Sequence, residues 1–220
     1  MVKVFIIAEA GVNHNGNFSL AKKLIDKAVE AGVDAVKFQT WKTELIATKE
    51  VPQADYQTEN IGKIETQYEM LKKLELSYQE FIELKKYCDN SGIIFMSTAD
   101  EIQSADFLYD LQDIFKIGSG ELTNIPFLKH IANYRKKIIL STGMGNLDEI
   151  KYALDVIESG VIKRKDITLL HATTMYPTLI QDVNLNALKT IREAFNISVG
   201  FSDHTMGIEV SIAAVALGAT

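Results

Sequence analysis

Each of seven short apolar segments of this chain is followed by polar side chains. Four charged side chains within or after these segments are suited to catalysis or anion binding. Glu9 and Glu121 are candidates for general acid–base catalysis, because a positioned carboxyl group can exchange a proton with a substrate. Lys37 and Lys116 stand within otherwise apolar segments, where an unpaired ammonium is costly to bury. We therefore expect both lysines to have a function.

Hydroxyl groups recur at the same kind of position and would suit the binding of an anion. Thr98, Ser119 and Ser141 can hydrogen-bond phosphate or carboxylate oxygens while the lysines supply positive charge. Each hydroxyl has a plain alternative, since serine and threonine at the start of a helix often cap it. The set predicts a local phosphate site, although the chain has a net charge of −6.

Other polar residues after these segments suggest substrate and metal contacts. Gln39, Thr174 and Tyr176 are further polar residues at these strand ends and are therefore candidate site residues. His204, next to Asp203, could ligate a divalent metal ion, although one histidine is a weak metal signal.

Three residues with reactive side chains have simpler interpretations. His130 lies in an expected helix and is interpreted as a packing or surface residue. Cys88 shares a helical face with Leu84 and is interpreted as a core residue. His171 lies inside an apolar segment, and both a functional and a core interpretation stay open.

The seven apolar segments, each of about five residues, predict β-strands that are buried on both faces. Continuous apolar runs, unlike alternating ones, are typical of parallel sheets. The segments are Val4–Ala8, Ala35–Gln39, Ile93–Ser97, Ile114–Gly118, Lys137–Ser141, Ile167–His171 and Ser198–Ser202.

Helical patterns separate these strands and set the expected fold class. Leu20, Leu24 and Ala28 recur at helical spacing, and Asn146 with Glu149 resembles a capping box. Strand–helix alternation predicts an α/β fold, a TIM (β/α)8-type barrel with seven βα units, whose active site lies at the C-terminal strand ends. A doubly wound open sheet is the alternative, but no GxGxxG motif follows the first strand.

Glycines are expected to end three of the helices. Gly32, Gly92 and Gly160 stand where the helical patterns stop, and glycine adopts the left-handed cap conformation at little cost.

Two longer-range features bear on domain organisation. The connection from Lys42 to Lys63 is long for a compact domain and is expected to be functional or mobile. The segment from Ile208 to Thr220 resembles the end of the first helix, which predicts an eighth strand beginning near Ala219. We therefore expect residues 1–220 to form an N-terminal barrel domain that lacks strand 8.

Composition excludes several classes of protein. Hydrophobic residues make up 47% of the chain and charged residues 24%, which is typical of a globular protein. Cys88 is the single cysteine, so neither an internal disulfide nor a cysteine-based zinc cluster can form. The acidic balance argues against nucleic acid as a partner, and no apolar run is long enough for a signal peptide or membrane span. We expect a soluble cytoplasmic protein.

Six motifs, taken in order along the chain, resemble the sialic acid synthase family. They are AEAGVNHNG (Ala8–Gly16), VKFQT (Val36–Thr40), KIGSGE (Lys116–Glu121), LSTGM (Leu140–Met144), YPT (Tyr176–Thr178) and GFSDHT (Gly200–Thr205). The stretch Ala54–Glu75 resembles the neuraminate and legionaminate branch more than the pseudaminate branch. The resemblance implies that phosphoenolpyruvate (PEP) condenses with N-acetylmannosamine or a related 2,4-diacetamido-trideoxy-hexose and releases phosphate, in glycan or surface-polysaccharide biosynthesis.

The resemblance also implies a role for most of the candidate residues. Glu121 matches the glutamate that handles a proton at the PEP methylene or the new hydroxyl, and Glu9 matches a glutamate near the metal and its water. His204 matches one of two metal-ligating histidines, of which the second is expected in strand 8. Gln39 and Tyr176 match positions that hold the acceptor sugar. The positions that match PEP contacts are Lys37, Thr98, Lys116, Ser119 and Ser141.

The same resemblance implies a cofactor and an assembly. The metal would be Mn²⁺, with Mg²⁺ or Co²⁺ as alternatives. Members of the family carry a C-terminal antifreeze-like domain that reaches into a partner subunit, so a homodimer is expected for the full-length protein. Because strand 8, its histidine and that domain are expected to be missing, the 220-residue chain itself is expected to be inactive.

Two segments depart from the family pattern. Ala99 and Asp100 follow Ser97 and Thr98 where proline and phenylalanine are usual. Ala172 and Met175 occupy positions usually held by cysteine and glutamate. Asp100 would add negative charge near the phosphate region, and Met175 removes a polar group beside Tyr176, so acceptor specificity could differ.

Two other functions stay open at the level of sequence. One is a Schiff-base aldolase of the TIM-barrel class, with Lys37 or Lys116 as the nucleophile. The other is a non-catalytic binding or regulatory fragment.

Overall fold

The computed structural model describes residues 3–52 and 66–220, which form two compact units. The first unit spans Ile6–Gln112, and the second comprises Asp113–Thr220 with the N-terminal residues up to Phe5. Both units alternate strands with helices, as the sequence pattern predicts.

The first unit contains three parallel strands in the order β1-β2-β3. Their side chains form a core with helices on which apolar residues recur at helical spacing, such as Ile25 and Leu84, both fully buried. The elements are β1 Ile7–Gly11, α1 Phe18–Glu30, β2 Ala35–Thr40, α2 Thr43–Ile46, α3 Gln67–Leu74, α4 Tyr78–Ser91, β3 Ile94–Ala99 and α5 Ile102–Leu108.

The second unit contains four parallel strands in the order β4-β5-β6-β7. Short 3₁₀ turns lie at Ser119–Glu121, Arg164–Asp166 and Ile180–Asp182. The main elements are β4 Ile114–Ile117, α6 Ile125–Ile131, β5 Lys137–Ser141, α7 Leu147–Glu158, β6 Ile167–Ala172, α8 Asn186–Phe195, β7 Ser198–Ser202 and α9 Glu209–Ala216.

All seven predicted strands are present, and the first is displaced from its predicted position. The apolar run predicts Val4–Ala8, whereas β1 spans Ile7–Gly11. Ile6 is 52% exposed, so the start of the run lies outside the buried sheet. Glu9 therefore lies within the strand and does not follow it.

The predicted left-handed glycines at helix ends are correct for two of the three positions. At the third the helix also ends near the glycine, but the glycine is not left-handed. Gly92 is the left-handed cap of α4, and Gly32 follows α1 with φ of +71°. Gly160 is instead required by close packing, because a Cβ there would lie 2.1 Å from the Ala132 carbonyl oxygen. The predicted capping box is present, with the Asn146 side chain and the Glu149 backbone joined at the start of α7.

The long connection after β2 is partly ordered where the structure describes it. Thr43–Ile46 forms the short helix α2, and Pro52 pairs with Thr66 in an isolated antiparallel bridge. Residues 53–63 of the predicted loop, and most of the stretch that resembles the legionaminate branch, lie outside the described residues.

The chain turns back toward β7 after α9. Gly218 adopts φ of +90°, and the backbone N–H of Thr220 donates to the carbonyl of Val199 on β7. The eighth strand stays a prediction. No helix in the described ranges is long and apolar enough to cross a membrane.

Candidate functional site

A β-bulge in β1 lies immediately after Glu9. Glu9 is opposite Lys37 in the parallel register, but the next paired residue, Phe38, faces Gly11, so Ala10 is the extra residue. Gly11 has φ of +49°, a conformation that glycine adopts at little cost. The bulge thus ends the regular pairing immediately after Glu9.

Glu9, Lys37 and Thr98, the Lys37 cluster, meet within the first unit. The Lys37 Nζ lies 2.6 Å from Glu9 Oε2 and donates to Thr98 Oγ1 at 3.1 Å. Lys37 is 7% exposed, whereas the Glu9 side chain is 50% exposed. The fold therefore supplies a carboxylate partner for the buried ammonium.

Gln39 lies two residues after Lys37, on the same face of β2, and is opposite Thr98 in the register with β3. Its side chain is partly exposed, so it can contact a ligand. The structure therefore brings the predicted residue Gln39 beside the Lys37 cluster.

The end of β3 is held by the interior of the first unit. The Gln112 side chain accepts from the Ser97 N–H at 2.6 Å and donates to the Ser97 carbonyl at 3.0 Å. Ala99, one of the departures from the family pattern, is a buried last residue of the strand. Asp100 follows, and its N–H donates to the Thr40 carbonyl, so it continues the backbone pairing of β3 with β2.

Lys116 and Ser141 form the centre of a second group, within the second unit. The Lys116 Nζ donates to Ser141 Oγ at 2.7 Å and to the Ile117 carbonyl at 3.2 Å. Ser141 is the last residue of β5 and is 2% exposed, while Lys116 is partly exposed. The ammonium thus lies where buried strands give way to loops, with a hydroxyl already oriented beside it.

Two further predicted hydroxyls converge on the loop after β5. Ser119 Oγ accepts a hydrogen bond from the Gly143 N–H at 3.0 Å. A Cβ at Gly143 would lie 2.8 Å from Ser119 Oγ and 2.5 Å from Thr174 Oγ1. Only glycine therefore lets the two hydroxyls approach this backbone. Lys116, Ser119, Ser141, Gly143 and Thr174 together are the Lys116 cluster.

Glu121 ends the 3₁₀ turn that begins at Ser119 and is held by a neutral neighbour. Asn124 caps α6 by accepting from the Phe127 N–H at 3.3 Å, which leaves its amide N–H₂ to donate to Glu121 Oε2. The cap therefore fixes both the amide orientation and the carboxylate. Sequence reasoning missed Asn124, although an asparagine directly before the Ile-Pro of a helix start is a capping signal.

His204 lies against Tyr176, with ring centroids 4.3 Å apart. Its Nδ1 is 2.7 Å from the Thr173 carbonyl, so it carries the proton and leaves the Nε2 lone pair available. Ser202 Oγ is 3.4 Å from that Nε2. Asp203 accepts hydrogen bonds from Thr205 and Ser211, and these bonds hold its pKa below the usual value against the opposing effect of burial.

Among the described residues, His204 is the candidate metal ligand that the geometry supports. His204 Nε2 suits a divalent ion, but no group of three histidine, cysteine or acidic residues gathers there. One imidazole does not hold a metal tightly. The described residues therefore do not form a complete metal site.

Comparison with known proteins identifies the family. The NeuB family model matches residues 24–220. The chain belongs to the NeuB family. It is 50% identical over all 220 residues to the N,N'-diacetyllegionaminic acid synthase of Campylobacter jejuni, and 48% identical over 218 residues to the enzyme of that name in Legionella pneumophila. It spans 66% and 61% of the length of these two relatives.

A solved structure supports the fold class. The N-acetylneuraminic acid (sialic acid) synthetase of Leptospira borgpetersenii, in complex with citrate, matches with a TM-score of 0.84 and 32% identity. The match covers 99% of this chain and 71% of that one. The predicted α/β fold class, a TIM (β/α)8-type barrel with seven βα units, is confirmed.

Three other candidates have structural partners. His171 Nε2 is 2.7 Å from the Val183 carbonyl and its ring packs on Phe201, which fits the core interpretation. His130 packs edge-on against Tyr134. Cys88 is fully buried in α4, and burial raises the pKa of its thiol to about 12, so it is inert.

His14 has a buried nitrogen that sequence reasoning missed. The ring is fully buried next to Phe38, and Nδ1 accepts from the Gly16 N–H at 3.1 Å. Within the described ranges, Nε2 has no hydrogen-bond partner. Burial lowers the pKa of His14, which favours the neutral ring.

Proposed function

We propose that this chain carries the catalytic part of a nonulosonic (sialic-type) acid synthase that condenses PEP with an N-acetylated amino sugar. Family membership supports a synthase of this class. The observation that carries the PEP assignment is the Lys116 cluster, in which the Lys116 ammonium donates to Ser141 at the end of β5 and the hydroxyls of Ser119 and Thr174 approach Gly143 just after it. Such a set can bind the phosphate or carboxylate of PEP through charge-assisted hydrogen bonds.

The proposed reaction consumes PEP, the open-chain aldehyde of the sugar and one water. The C3 carbon of PEP attacks the aldehyde carbon, which forms a C–C bond and an alkoxide that takes up a proton. The positive charge left at C2 is captured by water. The resulting tetrahedral intermediate expels inorganic phosphate and leaves the 2-keto acid.

For the second unit we propose that one group of residues binds PEP and that a separate residue transfers a proton. Lys116, Ser119, Ser141 and Thr174 bind oxygens of PEP, and the ammonium offsets their negative charge. Glu121, oriented by Asn124, moves the proton at the PEP methylene or the new hydroxyl.

For the first unit we propose that Lys37 and Thr98 also bind PEP oxygens and that Gln39 contacts the acceptor. Because Lys37 is ion-paired with Glu9, a bound anion has to share that ammonium with the carboxylate. Glu9 is a candidate acid–base group for the water that attacks C2.

The acceptor we favour is a 2,4-diacetamido-trideoxy-hexose. The support is that both relatives at about half identity are named N,N'-diacetyllegionaminic acid synthases. Tyr176, 55% exposed beside Met175, is the proposed sugar contact in the second unit. N-acetylmannosamine is the competing acceptor.

A divalent ion, the homodimer and the cytoplasmic location stay predictions. For the ion, Mn²⁺ with Mg²⁺ or Co²⁺ as alternatives, His204 offers one ligand, and no step of the proposed reaction is derived through a metal.

The Schiff-base alternative has weaker support. A Schiff base needs a neutral amine, whereas Lys37 is engaged as a cation by Glu9. Trapping with pyruvate and borohydride separates the two reactions, because a condensing synthase gives no lysine adduct. A non-catalytic binding or regulatory fragment would release no phosphate from PEP, whether or not it binds PEP or the sugar.

The test is PEP-dependent phosphate release by the intact protein with each acceptor, together with Lys116→Ala. Loss of a charge-assisted contact costs roughly 1.5–3 kcal/mol, so we expect kcat/KM for PEP to fall at least about tenfold. The matched control is Lys151→Ala, an exposed lysine of the same unit that pairs only with Asp155 among the described residues. Wild-type kcat/KM in the Lys116 variant would refute the assignment.

A further inference from the structure

A basic groove lies in the second unit, away from the Lys116 cluster. Its volume is about 830 Å³. The start of β4 and β5 and the loop between α7 and β6 form its walls, through Asp113, Arg135, Lys136, Lys137, Lys163 and Asp166. Ser141 is four residues further along β5 than Lys137, roughly 13 Å at the strand rise, so the groove is at the opposite strand ends.

Two short basic runs meet at this groove. Residues 135–137 are Arg-Lys-Lys and residues 163–165 are Lys-Arg-Lys, in a chain whose net charge is −6. Arg164 is neutralised by Glu158, to which it donates through Nε at 2.8 Å. Asp113 pairs with Lys136 at 2.9 Å. The lining keeps an excess of two positive charges.

Three of the lining cations are available to a ligand. Arg135, Lys137 and Lys163 are exposed, and their side chains have no hydrogen bond or ion pair to any described residue. The three cations line one groove, so their like charges repel one another there and a bound anion relieves that repulsion. A single phosphate would engage only part of the set.

The floor of the groove is apolar. Ile162 is 3% exposed and Val161 is 45% exposed, and both line the groove next to Gly160. The volume falls in the range of small-molecule sites, which combine an apolar floor with a few polar groups. A ligand with both a flat apolar body and several negative charges would use both features.

We propose that this groove binds a nucleotide-sized organic polyanion, with its phosphates on Arg135, Lys137 and Lys163 and its base on the exposed side chain of Val161. In barrels of this class the chemistry takes place at the C-terminal strand ends. A ligand at the N-terminal ends of β4 and β5 is therefore an effector and not the substrate. The inference rests on the groove alone and is independent of the proposed synthase reaction.

The experiment is isothermal titration of the intact protein with ATP, with inorganic tripolyphosphate and with adenosine. We expect ATP to bind more tightly than tripolyphosphate because the base covers the apolar floor, and adenosine to bind far more weakly than either. Affinity should fall steeply with added salt, because exposed charges are screened. Lys137→Ala with Lys163→Ala should weaken ATP at least about tenfold, a cost of about 1.4 kcal/mol.

Two controls locate the binding. Lys189→Ala removes an equally exposed lysine on α8 that pairs with Glu193, and it should leave the ATP affinity within about twofold. Lys116→Ala should also retain ATP binding, because it alters only the other strand ends. Absence of ATP binding, unchanged affinity in the double variant, loss of binding in the Lys116 variant, or tripolyphosphate binding as tightly as ATP would each overturn the proposal.

Discussion

The two units repeat one arrangement of lysine and hydroxyl. Lys37 is the third residue of β2 and donates to Thr98, the fifth residue of β3. Lys116 is the third residue of β4 and donates to Ser141, the fifth residue of β5. In each case the hydroxyl is on the next strand and nearer its C-terminal end, so the ammonium extends toward the loops.

The carboxylates of the two units differ in what holds them. Glu9 is ion-paired with Lys37 at 2.6 Å, so the charges in the Lys37 cluster compensate each other within the fold. Glu121 accepts from the neutral amide of Asn124. Glu9 thus balances the charge of Lys37 in addition to its proposed acid–base role, whereas the role proposed for Glu121 is proton transfer alone.

The sharpest way to break this division is Glu121→Gln in the intact protein. The substitution keeps shape and the Asn124 contact but removes proton transfer, which is worth typically 10²–10⁴-fold. We expect kcat for PEP-dependent phosphate release to fall by about that factor while PEP affinity changes little. Steady-state kinetics and PEP titration measure the two quantities separately.

Glu83→Gln, an exposed glutamate of α4, is the control for Glu121→Gln and should retain full kcat. If PEP affinity collapses in Glu121→Gln while kcat holds, Glu121 is a binding residue and the division between the units is wrong.

A second substitution, Glu9→Gln, tests charge balance in the first unit. Without the carboxylate, the Lys37 ammonium is available to an anion, so PEP should bind up to about tenfold more tightly. That gain corresponds to about 1.4 kcal/mol, a modest value because half of the Glu9 side chain is exposed. The measurement is the PEP dissociation constant, because kcat also reflects the acid–base role proposed for Glu9. Weaker PEP binding in Glu9→Gln would show that the pair positions Lys37 and does not compete for it.

Much of this arrangement could be predicted from the sequence, because the buried strands of a parallel sheet are recognisable as apolar runs that end in polar clusters. Lys137–Ser141 and Ser198–Ser202 match their predicted bounds, since an apolar run of five residues between polar clusters fits one buried strand. The displacement of β1 could not be predicted, because exposure of Ile6 depends on its neighbours in space.

The side-chain partners were harder to predict than the positions. That Lys37 is paired depends on the register of β1 with β2, which places Glu9 opposite Lys37, and the residues AEAG do not specify that register. Gly143 was overlooked because the side chains that require a glycine there are distant in the sequence. The hydroxyls that leave no room for a Cβ at Gly143 belong to Ser119 and Thr174, which are 24 and 31 positions away in the sequence.

The smallest expected effect concerns how the segment after β2 is held by Glu75, the residue that follows α3. The Glu75 carboxylate accepts from the Thr43 N–H and Oγ1 at 3.0 and 2.8 Å and from Lys42 and Lys72. Burial opposes ionisation, but these hydrogen bonds dominate and lower the pKa of Glu75 from 4.5 to about 2. Its contribution to stability is therefore complete above pH 4.5 and is lost as the pH falls toward 2.

Glu75→Gln should accordingly lower the free energy of unfolding by about 1 kcal/mol at pH 7. The gap from wild type should narrow as the pH falls below 4.5, because wild type then loses the same contribution. Urea unfolding at pH 7, 4 and 3 measures this difference in unfolding free energy, with Glu83→Gln as the exposed control. A difference in unfolding free energy that stays constant over this pH range would mean that Glu75 stabilises the first unit through packing. The hydrogen bonds of Glu75 would then not contribute through its charge, unlike the ion pair of Lys37 with Glu9.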